Sequence, residues 1–412
     1  MSRLRGFGWS VAAIAFAGLA VRVAYVLTIA PDRLGGDGTE FHYIAMHVAD
    51  GDGFALPRDF YSGPLVPWVD KPPLYVLYLA GATKVAGASL EAHRLASCLL
   101  GAGTVAALGF LGRRVGGPRV GLIAAGLGAV YPLLWVADGT VMSESLLGLL
   151  VALALIAALR LLERPESWGR AAALGAAMGA AALTRSETVA LLVLLVLPVV
   201  LLARRMRVRN LVVAGAAALL LMSPWLIRNA IRFDEPVGLS TNLGTMVAGA
   251  NCDQTYYGDH LGVWISACLP PHPRGKLTNL HANTKAGLDY AQDHLGRVPV
   301  VVGARVLRLW GVYRPGQQLF DPIFREGRNS GVVVAGQILF YLAVVAAAFG
   351  AWWLRDRRDV LIVLAAPVLM VTLMAAVAYG IIRFRLPAEI PILVLAAVAV
   401  ERLVARRTPR PA

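Results

Sequence analysis

Charged residues are scarce in this chain. Only 16% of its 412 residues are Asp, Glu, Lys or Arg, whereas 58% are hydrophobic, and the mean hydropathy is +0.64. Soluble globular domains carry about 25% charged residues. The composition therefore excludes a soluble protein and predicts a helical protein that crosses a membrane several times.

Two other features are missing from the sequence. The net charge of +14 is not organised as a continuous basic face with interleaved aromatic residues, so it does not indicate a nucleic-acid partner. No internal repeat is apparent, so the inverted repeats of many transporters find no support. The arginines fall in short clusters between apolar runs, as the positive-inside rule predicts for cytoplasmic loops.

Cysteine is also rare, with three residues in the chain. Cys98 lies in an apolar run, where packing accounts for it. Cys252 and Cys268 share one hydrophilic segment that we place outside the cytoplasm, where an oxidising compartment favours disulfides. We therefore expect a bond between Cys252 and Cys268.

The apolar runs predict about ten membrane spans. They lie at 8–30, 92–111, 120–136, 145–162, 171–183, 189–203, 211–227, 332–354, 360–378 and 386–403. The first contains Arg22 and is too long for a signal-peptide core, so it predicts an uncleaved anchor. An even number of spans puts both termini on the arginine-rich, cytoplasmic side of a bacterial membrane. The short run 171–183 is expected to form a broken pair with 189–203.

These spans divide the chain into three regions. The predicted regions are a membrane core at 1–227 with an outer loop at 31–91, a small extracytoplasmic domain at 228–331, and C-terminal hairpins at 332–412. Interfacial helices are expected at 40–49 and 73–85, and an amphipathic helix on the membrane at 298–313. The predicted fold class is therefore an all-α polytopic membrane protein.

Asp37 follows the first span, with Glu40 and His42 nearby. A partly desolvated carboxylate at a membrane surface suits a general base that activates an acceptor hydroxyl. The alternative is an aspartate that caps the helix starting near Thr39. Both readings stay open at this point, and we take Asp37 and Glu40 as candidate catalytic residues with His42 in support.

The motif Asp70-Lys71-Pro72-Pro73 is a second candidate site. Lysine binds phosphate as a compact point charge, and the prolines would fix its position. Asp70 could orient Lys71 or hold a metal ion. A surface ion pair ahead of a proline-capped helix is the alternative.

Arg383 and Arg385 follow Tyr379 at the predicted outer mouth of the last hairpin. Two arginines at alternate positions could clamp a lipid phosphate, with Tyr379 in support. Snorkelling of both side chains to the membrane interface is the alternative.

Three further residues are candidates, which are Asp138, Arg185 and His93. Asp138 would be a second carboxylate across the cavity from Asp37, or else a polar turn. Arg185 would support the site, with an internal salt bridge to Glu187 as the alternative. No cofactor is certain, but Asp70 and His93 are weak candidate ligands for a divalent metal, and an interfacial histidine is the simpler explanation of His93.

Together these residues resemble the GT-C glycosyltransferases, specifically the family 39-like membrane transferases, which include protein O-mannosyltransferases and the lipid A aminoarabinose transferase. Four motifs carry the resemblance. They are the acidic motif at Asp37, Asp70-Lys71-Pro72-Pro73, Ser223-Pro-Trp-Leu-Ile-Arg-Asn229 and Arg383-Phe-Arg-Leu-Pro387.

The resemblance implies a polyprenyl-phosphate sugar donor, a cell-envelope acceptor, inversion at the anomeric carbon, Asp37 as base and Lys71 at the donor phosphate. Membrane lipids are implied partners. Asp37-Gly38 replaces the Asp-Glu pair of protein O-mannosyltransferases, which leaves the acceptor open. The alternatives are a flippase of lipid-linked sugars and a non-catalytic assembly partner.

Overall fold

The computed structural model describes residues 2–57, 63–203, 206–271, 279–321 and 326–407. Within these ranges the protein is built of helices and one two-stranded antiparallel sheet. The helices are α1 (Ser2–Thr28), α2 (Asp37–Asp50), α3 (Leu74–Ala86), α4 (Leu90–Gly116), α5 (Pro118–Val130), α6 (Pro132–Gly139), α7 (Glu144–Glu163), α8 (Trp168–Ala182), α9 (Leu197–Leu202), α10 (Arg207–Arg232), α11 (Asn242–Ala250), α12 (Asp253–Tyr256), α13 (Leu280–Asp293), α14 (Val298–Leu309), α15 (Pro315–Phe320), α16 (Ser330–Trp353), α17 (Arg358–Val377) and α18 (Leu386–Arg407). The strands are β1 (Ala55–Pro57) and β2 (Leu65–Pro67), with Leu56 opposite Val66.

The fold class predicted from the sequence is confirmed: the chain is a helical, integral membrane protein. Each of the ten predicted spans coincides with a helix or a helix pair. By length and composition, six of the described helices can cross a membrane, and α5 with α6, bent by 47°, would make a seventh. The helices of the other three predicted spans, among them α8 with 15 residues, fall short of that criterion. The count of ten spans is therefore not confirmed.

The predicted break between 171–183 and 189–203 is present. After α8 the chain forms a 3₁₀ turn at Ser186–Val189 and a wide π turn at Leu192–Val196 before α9. Pro198 near the start of α9 has no N–H to donate to the preceding turn, which favours the irregular helix. The break places residues 184–187 at one end of the bundle.

The basic loops meet at the other end of the bundle. Arg114 Nη1 lies 2.5 Å from Glu163 Oε1, and Arg357 donates to the carbonyl of Val115 at 2.8 Å. These contacts join the α4–α5, α7–α8 and α16–α17 connections, which are far apart in the sequence. This clustering agrees with the predicted topology, in which the arginine-rich loops lie on one side of the membrane.

A buried ion pair ties α1 to the middle of the bundle. Arg22 Nε and Asp138 Oδ2 are 3.0 Å apart, and both side chains are fully buried. Gly101 of α4 makes room for the pair, since a Cβ there would lie 2.3 Å from Asp138 Oδ2. Arg22 also donates to the carbonyls of Gly18 and Gly128. Asp138 is thus a helix-packing residue, and its predicted place across the cavity from Asp37 is corrected.

The motif Ser223–Asn229 lies near the end of α10 and forms hydrogen bonds with the chain that follows this helix. Trp225 donates its indole N–H to the carbonyl of Leu239 at 2.8 Å, and Asn229 donates to the carbonyl of Gly238 at 2.8 Å. The motif therefore orients the polypeptide that leaves α10, rather than presenting side chains to a ligand.

The described residues of the segment 233–329, between α10 and α16, form a cap in which two buried arginines hold the backbone together and one of them, Arg305, also binds α17. Arg305 of α14 donates to the carbonyls of Ala250 at 2.5 Å and Val377 at 3.3 Å, and Arg308 donates to the carbonyl of Leu261 at 2.6 Å. Both arginine side chains are buried. The predicted amphipathic helix is therefore present, but its arginines face protein carbonyls and not a membrane surface.

The cap also contains a disulfide. Cys252 and Cys268 are bonded, with their Cα atoms 6.1 Å apart. The bond closes the loop that carries α12 and Trp264.

We predict that replacing both cysteines by serine loosens this loop and leaves the membrane helices folded, because both cysteines lie in the cap and neither lies in a membrane helix. Limited proteolysis and circular dichroism would check this, and two free thiols found by mass spectrometry in the native protein would contradict it.

Loss of the Arg22–Asp138 pair should destabilise the bundle. Asp138→Asn leaves the Arg22 charge buried without its counter-ion, which costs about 3–5 kcal/mol in proteins. We expect a clearly lower unfolding temperature in lipid nanodiscs. Arg22→Met combined with Asp138→Leu removes both charges and should recover much of the loss. Equal unfolding temperatures for wild type and Asp138→Asn would contradict the structural role.

Candidate active site

A charged cavity of about 510 Å³ lies at the end of the bundle opposite the basic loops. Its walls come from the α1–α2 loop and α2, the Asp70–Pro72 motif, the break after α8, the cap and the turn before α18. The charged lining residues are Asp37, Glu40, Asp70, Lys71, Arg185, Glu187, Glu326 and Arg383. Ser143, just before α7, also lines the cavity, which thus gathers residues from six separate parts of the sequence.

Asp37 is the first residue of α2 and lies between two cations. Its Oδ1 is 3.2 Å from Lys71 Nζ, and its Oδ2 accepts a hydrogen bond from Arg383 at 2.8 Å. The helix is preceded by Gly36 with φ of 53°, and in the described structure no side chain caps it. The carboxylate is therefore directed into the cavity, and the helix-cap alternative is not what the structure shows.

Lys71 is surrounded by three carboxylates. Its Nζ lies 2.5 Å from Asp70, 3.2 Å from Asp37 and 3.5 Å from Glu40. The backbone on both sides is fixed, since the carbonyl of Val69 accepts from the Thr241 N–H and the Leu74 N–H donates to the carbonyl of Leu183. The proline-bounded motif thus holds an ammonium group at a fixed point in the cavity wall.

Arg383 binds three carboxylates as well. Its guanidinium lies 2.8 Å from Asp37, 3.2 Å from Glu144 and 2.8 Å from Glu326. The residue sits in the 3₁₀ turn Ile382–Arg385 ahead of α18. This guanidinium connects the first loop, α7, the cap and the last helix at one point.

Arg185, from the break after α8, completes the wall. It pairs with Glu187 at 2.5 Å and with Glu144 at 3.0 Å, and its guanidinium lies over the Phe384 ring at 4.8 Å. The internal salt bridge that the sequence offered as the alternative is present, and both partners also line the cavity. Tyr379 lines the cavity too.

Burial and charge set the protonation of the site. Burial opposes ionisation of Asp37, but Lys71 and Arg383 outweigh it and hold the pKa of this carboxyl below its usual range. Burial raises the pKa of Glu40 to about 7, against the attraction of Lys71. Burial likewise raises the pKa of the Glu326 carboxyl, although Arg383 opposes the shift. At neutral pH the site therefore combines a firmly ionised carboxylate, Asp37, with a carboxyl, Glu40, whose pKa is about 7.

Two other predicted site residues lie elsewhere. Arg385 is fully buried between Glu389 Oε1 at 2.7 Å and Gln337 Oε1 at 2.8 Å, so the predicted two-arginine clamp reduces to Arg383. His42 does not line the cavity; its Nδ1 lies 3.0 Å from His93 Nδ1.

The predicted metal pair is not formed. His93 contacts His42 and, through Nε2 at 2.7 Å, the Thr83 hydroxyl, whereas Asp70 contacts Lys71 and the Thr241 hydroxyl. Across the residues that the structure describes, no group of three His, Cys, Asp or Glu side chains is arranged to hold a metal ion.

Glu326 is the site residue that the sequence reading missed. The only local hint is the pair Gly35-Gly36, because a Cβ on Gly35 would lie 2.7 Å from the carbonyl carbon of Glu326. Close approach of two backbones requires glycine there. Nothing in the spacing of the sequence shows that residue 326 returns to residue 35.

Because the pKa of Glu40 is raised, the stability of the folded protein should depend on pH. The folded state keeps a proton that the unfolded state releases near pH 4.5, so this contribution to stability is lost as pH rises through about 7. We expect Glu40→Gln to match wild type in unfolding temperature at pH 4.5 and to exceed it at pH 8. Glu91→Gln, at an exposed site on α4, is the control. A difference that does not change with pH would contradict the assignment.

Comparison with known proteins identifies the fold. Residues 70–227 match the family model described as dolichyl-phosphate-mannose-protein mannosyltransferase. The sequences of curated proteins give no match. The archaeal oligosaccharyltransferase AglB from Archaeoglobus fulgidus, solved with an inhibitory peptide and a dolichol-phosphate, is similar with a TM-score of 0.58 and 15% identity over 97% of this chain and 50% of that one.

Two more solved structures are similar. The same oligosaccharyltransferase, tethered to an acceptor peptide with the NVT sequon, gives a TM-score of 0.59 at 15% identity over 97% of this chain and 50% of that one. ArnT from Cupriavidus metallidurans, bound to undecaprenyl phosphate, gives 0.47 at 16% identity over 96% of this chain and 78% of that one.

This chain spans about half the length of AglB. At 15% identity the similarity shows a shared fold. The resemblance drawn from the sequence motifs is confirmed: the chain has the GT-C fold and is similar to the glycosyltransferases of the protein mannosyltransferase type.

Proposed function

We propose that this protein is a membrane glycosyltransferase that moves a sugar from a polyprenyl-phosphate donor to a cell-envelope acceptor on the extracytoplasmic side. One observation carries the proposal: Asp37, Lys71 and Arg383 converge in a single cavity. The cavity lies at the end of the bundle opposite the basic loops, and basic loops are typically cytoplasmic. A donor lipid in the outer leaflet would reach this end.

Lys71 and Arg383 supply the charge that the reaction needs. The donor is a phosphodiester with one negative charge, and its leaving group gains a second as the bond to the sugar breaks. Cations fixed beside that oxygen stabilise the transition state more than the ground state. Lys71, as a point charge, and Arg383, as a fork of donors, suit this task.

An apolar cleft beside the cavity supports a lipid donor. It adjoins Arg185 and Tyr379 and is lined by side chains of α7, α11 and α17, among them Leu147, Met246 and Met374. Methionine side chains adapt to flexible apolar ligands. The cleft has a volume of about 30 Å³, so it would take only a short part of a prenyl chain that lies along α17, next to Arg185.

Asp37 is the proposed base. In the structure its carboxylate is held by Lys71 and Arg383, which makes it a weak proton acceptor. The donor phosphate would compete for the same two cations and so raise the proton affinity of Asp37 when the donor is bound. Base activation would then depend on donor binding.

The transfer step is a direct displacement. The acceptor oxygen forms a bond to the anomeric carbon while the bond from that carbon to the phosphate oxygen breaks. The electron pair leaves with polyprenyl phosphate, the acceptor proton goes to Asp37, and attack from the opposite face inverts the anomeric centre. Glu40, whose pKa is about 7, is the second candidate base.

The proposal predicts a separation between Asp37 and Lys71. In nanodiscs with a panel of polyprenyl-phosphate mannose and arabinofuranose donors, Asp37→Asn should lower kcat by about 10²–10⁴. Lys71→Ala should mainly weaken use of the donor. Asp50→Asn, at an exposed carboxylate on the last turn of α2, should match wild type.

Three results would change the proposal. Retained turnover in Asp37→Asn would move the base to Glu40. A Lys71→Ala protein with unchanged donor KM and kcat would remove the phosphate assignment. Absence of transfer with every donor, together with movement of the lipid across vesicles, would favour the flippase alternative.

A further inference from the structure

A second cavity, of about 570 Å³, adjoins the charged one. It is enclosed by the disulfide-closed loop of the cap, the Gly35-Gly36 turn and the residues just after α17. The two cavities share four lining residues, which are Gly36, Trp264, Glu326 and Tyr379. Asp37 follows Gly36 directly, so the junction lies next to the proposed base.

The second cavity differs from the first in charge. Glu326 is its one acidic or basic lining residue among those the structure describes, apart from His260. The other polar groups are the neutral side chains of Gln254 and Ser266 and the aromatic residues described below, and three of the four lining glycines, Gly35, Gly36 and Gly327, leave backbone at least partly exposed. Among the residues that the structure describes, an anionic ligand would meet a carboxylate and no lysine or arginine. The lining therefore favours a neutral ligand rich in hydrogen-bonding groups.

Two aromatic rings stand at the junction. The centroids of Trp264 and Tyr379 are 6.4 Å apart, with ring planes inclined by 36°. The Trp264 indole N–H donates to the carbonyl of Thr245 at 2.8 Å, so its polar edge is already satisfied. Trp264 therefore presents an apolar ring surface to a ligand. Such a surface can pack against the C–H face of a sugar.

The aromatic wall is held in place by several contacts. A Cβ on Gly249 would lie 2.1 Å from Trp264 Nε1, so the indole lies directly on the α11 backbone. The Ile265 N–H donates to the carbonyl of Gly249 at 2.9 Å, and the Gly380 N–H donates to the carbonyl of Gly262 at 3.0 Å. A wall that is already ordered loses little entropy when a ligand binds.

We propose that the second cavity binds a neutral glycan acceptor, whose terminal sugar packs on Trp264 and Tyr379. This inference rests on the proposed transferase function and names the acceptor class that the function leaves open. Gln254, Ser266 and exposed backbone bind sugar hydroxyls, and Glu326 accepts from a hydroxyl at the junction. The reacting hydroxyl then reaches the anomeric carbon in the first cavity and gives its proton to Asp37.

Binding can be measured apart from transfer. The probes are mannotetraose, an arabinofuranose tetrasaccharide and a neutral Ser/Thr-containing peptide, observed by saturation-transfer NMR with protein in nanodiscs. Nanodiscs avoid detergents that carry sugar headgroups. We expect at least one oligosaccharide to bind wild type and Asp37→Asn equally, and Trp264→Ala to raise its Kd about tenfold.

Two further variants separate recognition from folding. Trp264→Phe keeps an aromatic ring and should recover most of the affinity for the oligosaccharide. Trp168 is an exposed tryptophan at the start of α8, so Trp168→Ala should match wild type. In transfer assays Trp264→Ala should raise the acceptor KM about tenfold and leave the donor KM unchanged.

The outcomes distinguish this inference from the proposed function. Transfer without binding of either oligosaccharide, or binding of the peptide alone in a Trp264-dependent way, overturns the glycan acceptor and leaves the transferase intact. Oligosaccharide binding that Trp264→Ala does not weaken overturns the site. Trp264-dependent glycan binding without transfer from any donor supports the cavity assignment and counts against the transferase.

Discussion

The site depends on the pairing of Asp37 with Lys71 and Arg383. These three residues come from the first loop, the second motif and the last hairpin, and the bonds between them join positions up to 346 residues apart. Ionised groups that are largely removed from water are stable only when each has partners of opposite charge. The tight turn at Gly35-Gly36, the prolines after Lys71 and the break after α8 all serve to bring such partners together.

The same network explains how a binding site can be built from charges that neutralise each other. Each cation contacts more than one carboxylate, and Glu40 and Glu326 have raised pKa values. A phosphate that enters can take over a cation while a carboxyl takes up a proton. The exchange keeps the net charge of the cavity nearly constant and makes donor binding and the state of the proposed base interdependent.

Two buried ion pairs show why sequence position alone misleads in a membrane protein. Arg22–Asp138 and Arg385–Glu389 are both fully or nearly fully buried, and both lie outside the cavity. A charged residue inside the membrane is expected to be functional, because exposure to lipid is costly. The same cost is avoided by pairing inside the bundle, and here packing accounts for Asp138 and Arg385.

The sequence by itself determined the membrane class, the positions of the helices and seven residues that line the cavity, which are Asp37, Glu40, Asp70, Lys71, Arg185, Tyr379 and Arg383. Apolar runs, proline positions and clustered arginines are local features, so they can be recognised in the sequence alone. Only the tertiary structure decided that Glu326 belongs to the site, that Asp138 and Arg385 do not, and that a second, less charged cavity lies beside the first. Those facts depend on which helix ends and loops meet in space, and contacts between distant parts of a chain leave no periodic pattern in it.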